Sequence, residues 1–155
     1  MIELIFGLLV IFQFKHLIAD YFLQNDYMLG KFKRGWEFFW PLTTHCSVHA
    51  FYTLLISAAA LKSMGKDQSP CLSFAMIDFC SHFIMDRLKA GPNYLGRYKY
   101  LCQHDLKHRE SMTAERWRGK YWNNKFFWWS LGVDQMVHHL TDLYIAWRLV
   151  CSISG

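Results

Sequence analysis

The sequence has few charged residues and no cysteine pair with the spacing of a metal or redox motif. Lys, Arg, Asp and Glu make up 19% of the 155 residues, below the ~25% of an average soluble domain. The five cysteines include no Cys-x-x-Cys pair, so a zinc finger is excluded. Their odd, scattered set argues against a disulfide scaffold and favours a reducing compartment. The chain also lacks a nucleophile elbow and a glycine-rich phosphate loop.

Apolar residues are abundant, at 53% of the chain, and 18% of the chain is aromatic. They concentrate in four segments of about 20 residues, each close to the length that crosses a bilayer core. No segment shows the wide Lys and Glu face of a water-exposed bundle helix. We therefore predict an all-α fold in one domain, residues 1–155: a four-helix transmembrane bundle, with a compact soluble bundle as the alternative. The predicted helices run from Ile2 to Gln24, Pro41 to Leu61, Pro70 to Lys89 and Lys125 to Val150.

The first helix has no basic leader and no small-residue cleavage site before or after its apolar run. It is therefore expected to be retained as a helix rather than removed as a signal peptide.

Positive charge is concentrated between helices 3 and 4. The net charge is +5, but residues 87–125 hold ten Lys or Arg and three Asp or Glu, a local charge of +7. This segment is predicted to be a basic cytoplasmic loop or short surface helix. The alternative is a patch for a phosphate-rich partner, namely nucleotides, anionic lipid or, least expected, nucleic acid. The loop after helix 1 is also basic, so the positive-inside rule predicts a multi-pass inner-membrane protein with both termini outside.

Each predicted helix carries a polar pair with a spacing of four residues. That spacing places both side chains on one helix face. In the predicted topology all four pairs lie at the same depth, near the cytoplasmic surface. Ionisable groups inside a bilayer are costly and usually functional, and inward-facing pairs of this kind bind metals in four-helix bundles. The pairs are His16 and Asp20, His45 and His49, His82 and Asp86, and Asp134 and His138.

These eight side chains predict a metal site. Five imidazoles and three carboxylates are too many for one tetrahedral ion, so two ions are expected. Zn is the expected metal, although Mn and Fe also bind mixed sets of imidazole and carboxylate ligands. One alternative is a metal-free hydrogen-bond or proton-relay network. The other is that the matched spacing and depth of the four pairs are coincidental.

Three further polar residues are candidates for catalysis. Asp78 and Asp142 lie one turn deeper than the pairs, where they would anchor metal-bound histidines from outside or act as a general base. Lys89 would meet an anionic group of the substrate. His139 is expected at a helix contact or the lipid interface, because it follows His138 and points about 100° away. His104 and His108 are expected on the surface.

The pattern resembles a family of small, uncharacterised, His- and Asp-rich integral-membrane proteins of bacteria and phages, classed as a domain of unknown function. The resemblance covers all four helices and leaves out the basic segment. The sequence is also loosely similar to inner-membrane metal-dependent hydrolases, but only in that both are His- and Asp-rich membrane bundles. The matching residues are Lys15–Asp20 with Leu23 and Gln24, His45, His49, His82–Asp86 with Lys89, and Asp134–His138.

Two functions are therefore carried forward. The first is a membrane-embedded, dinuclear, metal-dependent hydrolase that acts on a phosphate- or acyl-containing substrate at the cytoplasmic leaflet. Its partners would be membrane lipid and an anionic small molecule or lipid-linked substrate. The second is a non-catalytic protein: a metal-stabilised interaction protein, acting as a homo-oligomer or on a host membrane protein, or a conductor of ions or protons.

Overall fold

The computed structural model is all-helical over the residues it describes, which are 2–91, 94 and 125–154. Helix α1 spans Ile2–Leu17, α2 Phe39–Ser63, α3 Cys71–Ala90 and α4 Lys125–Ser154. A π-helical turn, Ile18–Phe22, follows α1, and a 3₁₀ helix, Met28–Phe32, precedes α2. The all-helical prediction is confirmed. Most of the predicted basic loop, together with His104 and His108, lies outside the described residues.

The helices alternate in direction, because the first half of α1 and the end of α4 pack against the end of α2 and the start of α3. Their buried side chains form one apolar core. Each large aliphatic or aromatic side chain there contributes about 1.5–3 kcal/mol on burial. The opposite end of the bundle therefore collects the end of α1, the start of α2, the end of α3 and the start of α4. The core residues are Leu8, Phe12, Leu61, Cys71, Phe74, Ile145, Ala146, Leu149 and Val150.

Helix α2 ends in a Schellman motif, which turns the chain back into α3. The Lys66 N–H donates to the Leu61 carbonyl at 2.9 Å, and the Gly65 N–H donates to the Lys62 carbonyl at 3.1 Å. Gly65 adopts a φ of +65°, a left-handed conformation that glycine reaches without steric cost. The two carbonyls are thus satisfied, and the turn stays short.

Ser69 does not cap α3, which begins after Pro70 with no side-chain hydrogen bond at its cap. Instead, the Ser69 backbone N–H donates to Asp67 at 3.1 Å, and the Ser69 hydroxyl donates to the same carboxylate. These hydrogen bonds hold the pKa of Asp67 below its usual range, since they favour the charged carboxylate.

The 3₁₀ helix packs closely on the first turn of α2 at Gly30. A Cβ added to Gly30 would lie 2.8 Å from the Pro41 Cγ, which is closer than side-chain carbons normally approach. Glycine is therefore the residue that allows this contact. The contact fixes the position of the neighbouring Lys31 relative to the helix bundle.

Apolar side chains cover the outside of the bundle as well as its core. Among the described residues, Ile2–Phe22 and Phe39–Ser63 are long and apolar enough to cross a membrane. Helices α3 and α4 have more polar residues, yet they also expose large apolar side chains, among them Leu72, Ile84, Met136, Leu140 and Trp147. By length and composition, two of the described helices could therefore cross a membrane.

Candidate metal centre

The polar pairs of all four helices meet at the end of the bundle opposite the apolar core. The His82 ring stacks between two others, at 3.9 Å from His49 and 4.1 Å from His138. His16 lies 5.3 Å from His138, and His45 lies 4.9 Å from His49, all measured between ring centroids. Each of these five residues is at most 3% exposed. They form one continuous buried cluster, which we call the imidazole layer.

Asp20 connects three of these imidazoles from the π-helical turn. Its Oδ2 lies 3.0 Å from His16 Nε2, and its Oδ1 lies 3.0 Å from His49 Nε2 and 3.4 Å from His45 Nε2. The turn is closed by the Leu23 N–H, which donates to the Ile18 carbonyl at 3.0 Å. Single π turns inside helices are frequent at functional sites, and this one places a carboxylate at the centre of the layer.

The other two predicted carboxylate ligands are each paired with a lysine. Asp86 Oδ2 accepts from the Lys31 ammonium at 3.0 Å and lies 3.1 Å from His45 Nε2. Asp134 forms an ion pair with Lys89. Lys89, expected to face an anionic substrate, is therefore at the site and holds one of its carboxylates.

A second polar layer lies directly beneath the imidazoles, toward the apolar core. The Lys15 ammonium contacts Asp142 Oδ1 at 2.6 Å and Asp78 Oδ2 at 3.1 Å, and all three side chains are fully buried. The Thr53 hydroxyl donates to Asp78 Oδ2 at 2.7 Å and lies 3.4 Å from the Lys15 ammonium. This lysine layer, consisting of Lys15, Thr53, Asp78 and Asp142, joins all four helices.

Asp78 links the two layers through His82. The His82 Nδ1 lies 2.9 Å from the Asp78 carbonyl oxygen and 3.1 Å from its Oδ1. Both oxygens can only accept when the carboxylate is ionised, so Nδ1 carries the proton and Nε2 presents a lone pair. Of the two roles predicted for Asp78, this geometry supports the outer anchor of a histidine. Asp142 lies farther from the imidazoles and pairs with Lys15.

Several buried imidazole nitrogens have no hydrogen-bond partner among the described residues. They include His82 Nε2 and both nitrogens of His138. Buried polar atoms of this kind are uncommon and call for a ligand, an ion or water. His139 is exposed, although its ring centroid lies 5.4 Å from that of His16, so it borders the layer from outside.

The ligand atoms can be divided into triads whose members lie within 4.8 Å of one another. Two triads share no residue: one is Asp20, His45 and His49, and the other is His16, His82 and His138. Overlapping triads within the described part of the chain are His49 with Asp78 and His82, and Asp86 with Asp134 and His138. Three protein ligands are the usual set at a catalytic zinc ion, where water takes the fourth position. Each of these triads offers a ligand set of that size.

A family model described as "Protein of unknown function (DUF3307)" matches residues 8–154. The chain belongs to the DUF3307 family. The match includes every residue of the two polar layers. It also spans the basic segment, which the resemblance drawn from the sequence had left out. No curated protein and no solved structure matches the chain.

The charges of this DUF3307 site do not balance within the described residues. Together with the carboxylates and lysines that border the imidazole layer, the two layers hold five aspartates and three lysines, so two negative charges remain when the imidazoles are neutral. Uncompensated buried charge is strongly unfavourable. One divalent cation would cancel the excess. The aspartates counted are Asp20, Asp78, Asp86, Asp134 and Asp142, and the lysines are Lys15, Lys31 and Lys89.

Three parts of the DUF3307 site were not recognised from the sequence: the roles of Lys15 and Lys31, and the π turn. Lys15 could have been found, because a lysine inside an apolar helix requires a buried partner. Lys31 carried no such signal, since it lies in a loop beside Lys33 and Arg34. A π turn leaves no pattern in a single sequence.

Proposed function

We propose that this DUF3307 protein is a membrane-embedded, metal-dependent hydrolase whose site opens toward the cytoplasmic leaflet. The observation that carries the proposal is the imidazole layer itself. It combines buried nitrogens that lack partners, two separate ligand triads and two unbalanced negative charges. Divalent cations bound in these triads would occupy the unpartnered nitrogens and offset the excess negative charge.

All four helices are proposed to cross the inner membrane, with both termini outside. Supporting this, large apolar side chains are exposed on every helix, as at Phe6, Phe51, Leu72 and Leu140. The helix ends beside the imidazole layer carry exposed aromatics of the kind found at membrane interfaces. Trp36 is 81% exposed, and Arg87 places its guanidinium 3.3 Å from the centroid of the Phe38 ring. The site would thus lie just below the cytoplasmic surface.

Two metal ions are proposed, with zinc as the expected metal because imidazole dominates the ligand set. One ion would be held by Asp20, His45 and His49, and the other by His16, His82 and His138. Asp86 and Asp134 lie close enough to replace or bridge ligands. Each ion would activate water and polarise the oxygen of a scissile phosphoryl or carbonyl group.

The hydrolytic step requires a proton acceptor. The water oxygen would attack phosphorus or the carbonyl carbon, the bond to the leaving group would break, and the water proton would pass to a carboxylate and then to the leaving group. Asp78 and Asp142 lie in the lysine layer, beneath the imidazoles, and are engaged by Lys15. Asp134 pairs with Lys89 through Oδ2, but it belongs to a candidate metal triad and its Oδ1 has no hydrogen-bond partner among the described residues. We therefore assign the role of base to Asp134.

Metal removal gives a direct test of hydrolysis. In detergent, the zinc-loaded protein should cleave p-nitrophenyl phosphate or a short p-nitrophenyl ester. Chelation should abolish this cleavage, and added zinc should restore it, whereas Asp134→Asn should lower the rate by about 100-fold or more with zinc still bound. Absence of cleavage of both compounds by protein that retains zinc would contradict a hydrolase of this broad specificity.

A non-catalytic metal protein is the second candidate, and the deep burial of the imidazole layer favours it. Each of the five histidines is at most 3% exposed, as expected for a closed structural site, whose positions are all filled by protein. The two candidates predict different results for His82→Ala. A structural site should lose its helical fold along with the metal, while a catalytic site should lose activity and keep the fold.

A further inference from the structure

Two lysines approach the imidazole layer from separate elements and reach the same side of it. Lys31 comes from the 3₁₀ helix and contacts Asp86, while Lys89 comes from the end of α3 and contacts Asp134. Asp86, Asp134 and His138 form one of the candidate metal triads. Two ammonium groups therefore flank the carboxylates of this triad, whose His138 is also a ligand in the proposed second ion site.

These two lysines differ from Lys15 in their surroundings. Lys15 is fully buried and contacts two carboxylates and a hydroxyl, so its charge is used within the bundle. The side chains of Lys31 and Lys89 are 9% and 25% exposed, and among the described residues each contacts a single aspartate. An ammonium has three donors, so both retain donors that can reach a ligand entering from the loop end.

We propose that Lys31 and Lys89 bind the phosphoryl oxygens of the substrate, which makes it a phosphate ester rather than a neutral acyl compound. This assignment rests on the proposed metal site, and the charge count of that site supports it. Two divalent ions would change the net charge of the five aspartates and three lysines at the site from two negative to two positive. A phosphoryl dianion restores neutrality, and lysine is a common partner of phosphate as a point charge. A neutral ester would leave the excess positive charge in place.

The geometry also places the phosphate close to the membrane surface. Lys31 is held in place by the contact between Gly30 and Pro41, and the exposed Trp36 and Trp40 lie between Lys31 and Pro41 in the chain. Lipid headgroups lie at that depth when aromatic residues form an interfacial belt. The phosphate could be part of a lipid headgroup or of a soluble ester, since the shared chemistry is a phosphoryl group with at least one free anionic oxygen.

Calorimetry on the zinc-loaded protein in detergent distinguishes these possibilities. Inorganic phosphate and dioleoyl phosphatidic acid would be titrated separately into wild type, Lys31→Gln, Lys89→Gln and the double variant. Zinc content would be measured on the same samples. Each single variant should weaken binding by about tenfold, because a hydrogen bond from a charged donor is lost. Binding of phosphatidic acid alone would assign a lipid substrate, and binding of phosphate as well would assign a soluble one; both support the proposal.

Lys62→Gln is the matched control, since Lys62 is an exposed lysine at the far end of α2. It should bind both probes like wild type. If zinc is bound but neither probe binds, or if Lys31→Gln and Lys89→Gln bind like wild type, the phosphate assignment fails while the metal site stands. If Lys31→Gln also loses zinc, Lys31 supports the metal site and does not act on substrate. Less than one ion per chain in wild type would refute both proposals.

Discussion

Replacement of Lys15 by methionine will lower the free energy of unfolding by about 3–5 kcal/mol. Methionine has a similar length and is apolar, so it leaves no large cavity. It removes the ammonium that contacts both Asp78 and Asp142, which lie 3.1 and 2.6 Å from it. Two fully buried carboxylates would then lack a counter-ion, and their burial would oppose folding. Denaturant titration in detergent micelles measures the change.

Two further variants distinguish this cause from a general effect of losing a lysine. Lys62→Met, on the exposed surface of α2, should change stability by less than about 0.5 kcal/mol. The triple variant Lys15→Met, Asp78→Asn, Asp142→Asn should recover much of the loss, because the buried charges leave together. A Lys15→Met protein within about 1 kcal/mol of wild type would show that the lysine layer does not hold the four helices together.

Substitution of Asp20 by asparagine will weaken zinc binding by more than about 100-fold. Changes to groups outside the ligand sphere already cost 10–100-fold, and Asp20 is a candidate ligand whose oxygens lie 3.0 Å from both His16 Nε2 and His49 Nε2. Asparagine keeps the shape of the side chain but removes the negative charge. Competition with a fluorescent zinc chelator measures the affinity.

Asp67→Asn is the control for this substitution, because it makes the same chemical change at an exposed aspartate in the turn before α3. Its zinc affinity should equal that of wild type. The helical circular-dichroism signal of Asp20→Asn should also be retained, since the π turn is closed by backbone hydrogen bonds. Equal zinc affinities for Asp20→Asn and wild type would remove Asp20 from the site.

The helical bundle and the meeting of the polar pairs could be predicted because both follow from short-range periodicity. A spacing of four residues places His82 and Asp86 on one face of any α-helix. Packing of the apolar segments against one another then orients those faces inward. Nothing beyond the sequence was needed to expect that His16, His49 and His138 would be neighbours, and the structure places the His16 ring 5.4 Å from that of His49 and 5.3 Å from that of His138.

The pairing of the lysines could not be predicted in the same way, because it depends on contacts between distant parts of the chain. Lys31 and Asp86 are 55 positions apart, and Lys15 and Asp142 are 127 apart. A lysine in a basic loop looks like a solvated charge until the loop is seen packed on Pro41. The sequence likewise predicts Asp78 and Asp142 as possible bases, because it does not show that Lys15 is their buried counter-ion.

The two polar layers have different roles. The lysine layer connects the four helices and fixes His82 through Asp78, so the imidazoles are held in position before any ligand arrives. Preorganisation of this kind is what an effective metal site requires. The imidazole layer would then supply the ligands of the proposed metal ions, while Lys31 and Lys89 remain at its more exposed side.

The metal content of the purified wild-type protein tests the central claim most directly. Protein extracted in mild detergent without chelator, and analysed by inductively coupled plasma mass spectrometry, should contain between one and two transition-metal ions per chain, mainly zinc. Asp20→Asn prepared in parallel should contain less than half of that amount. Wild-type protein with less than one transition-metal ion per chain, even after incubation with zinc, would contradict the account.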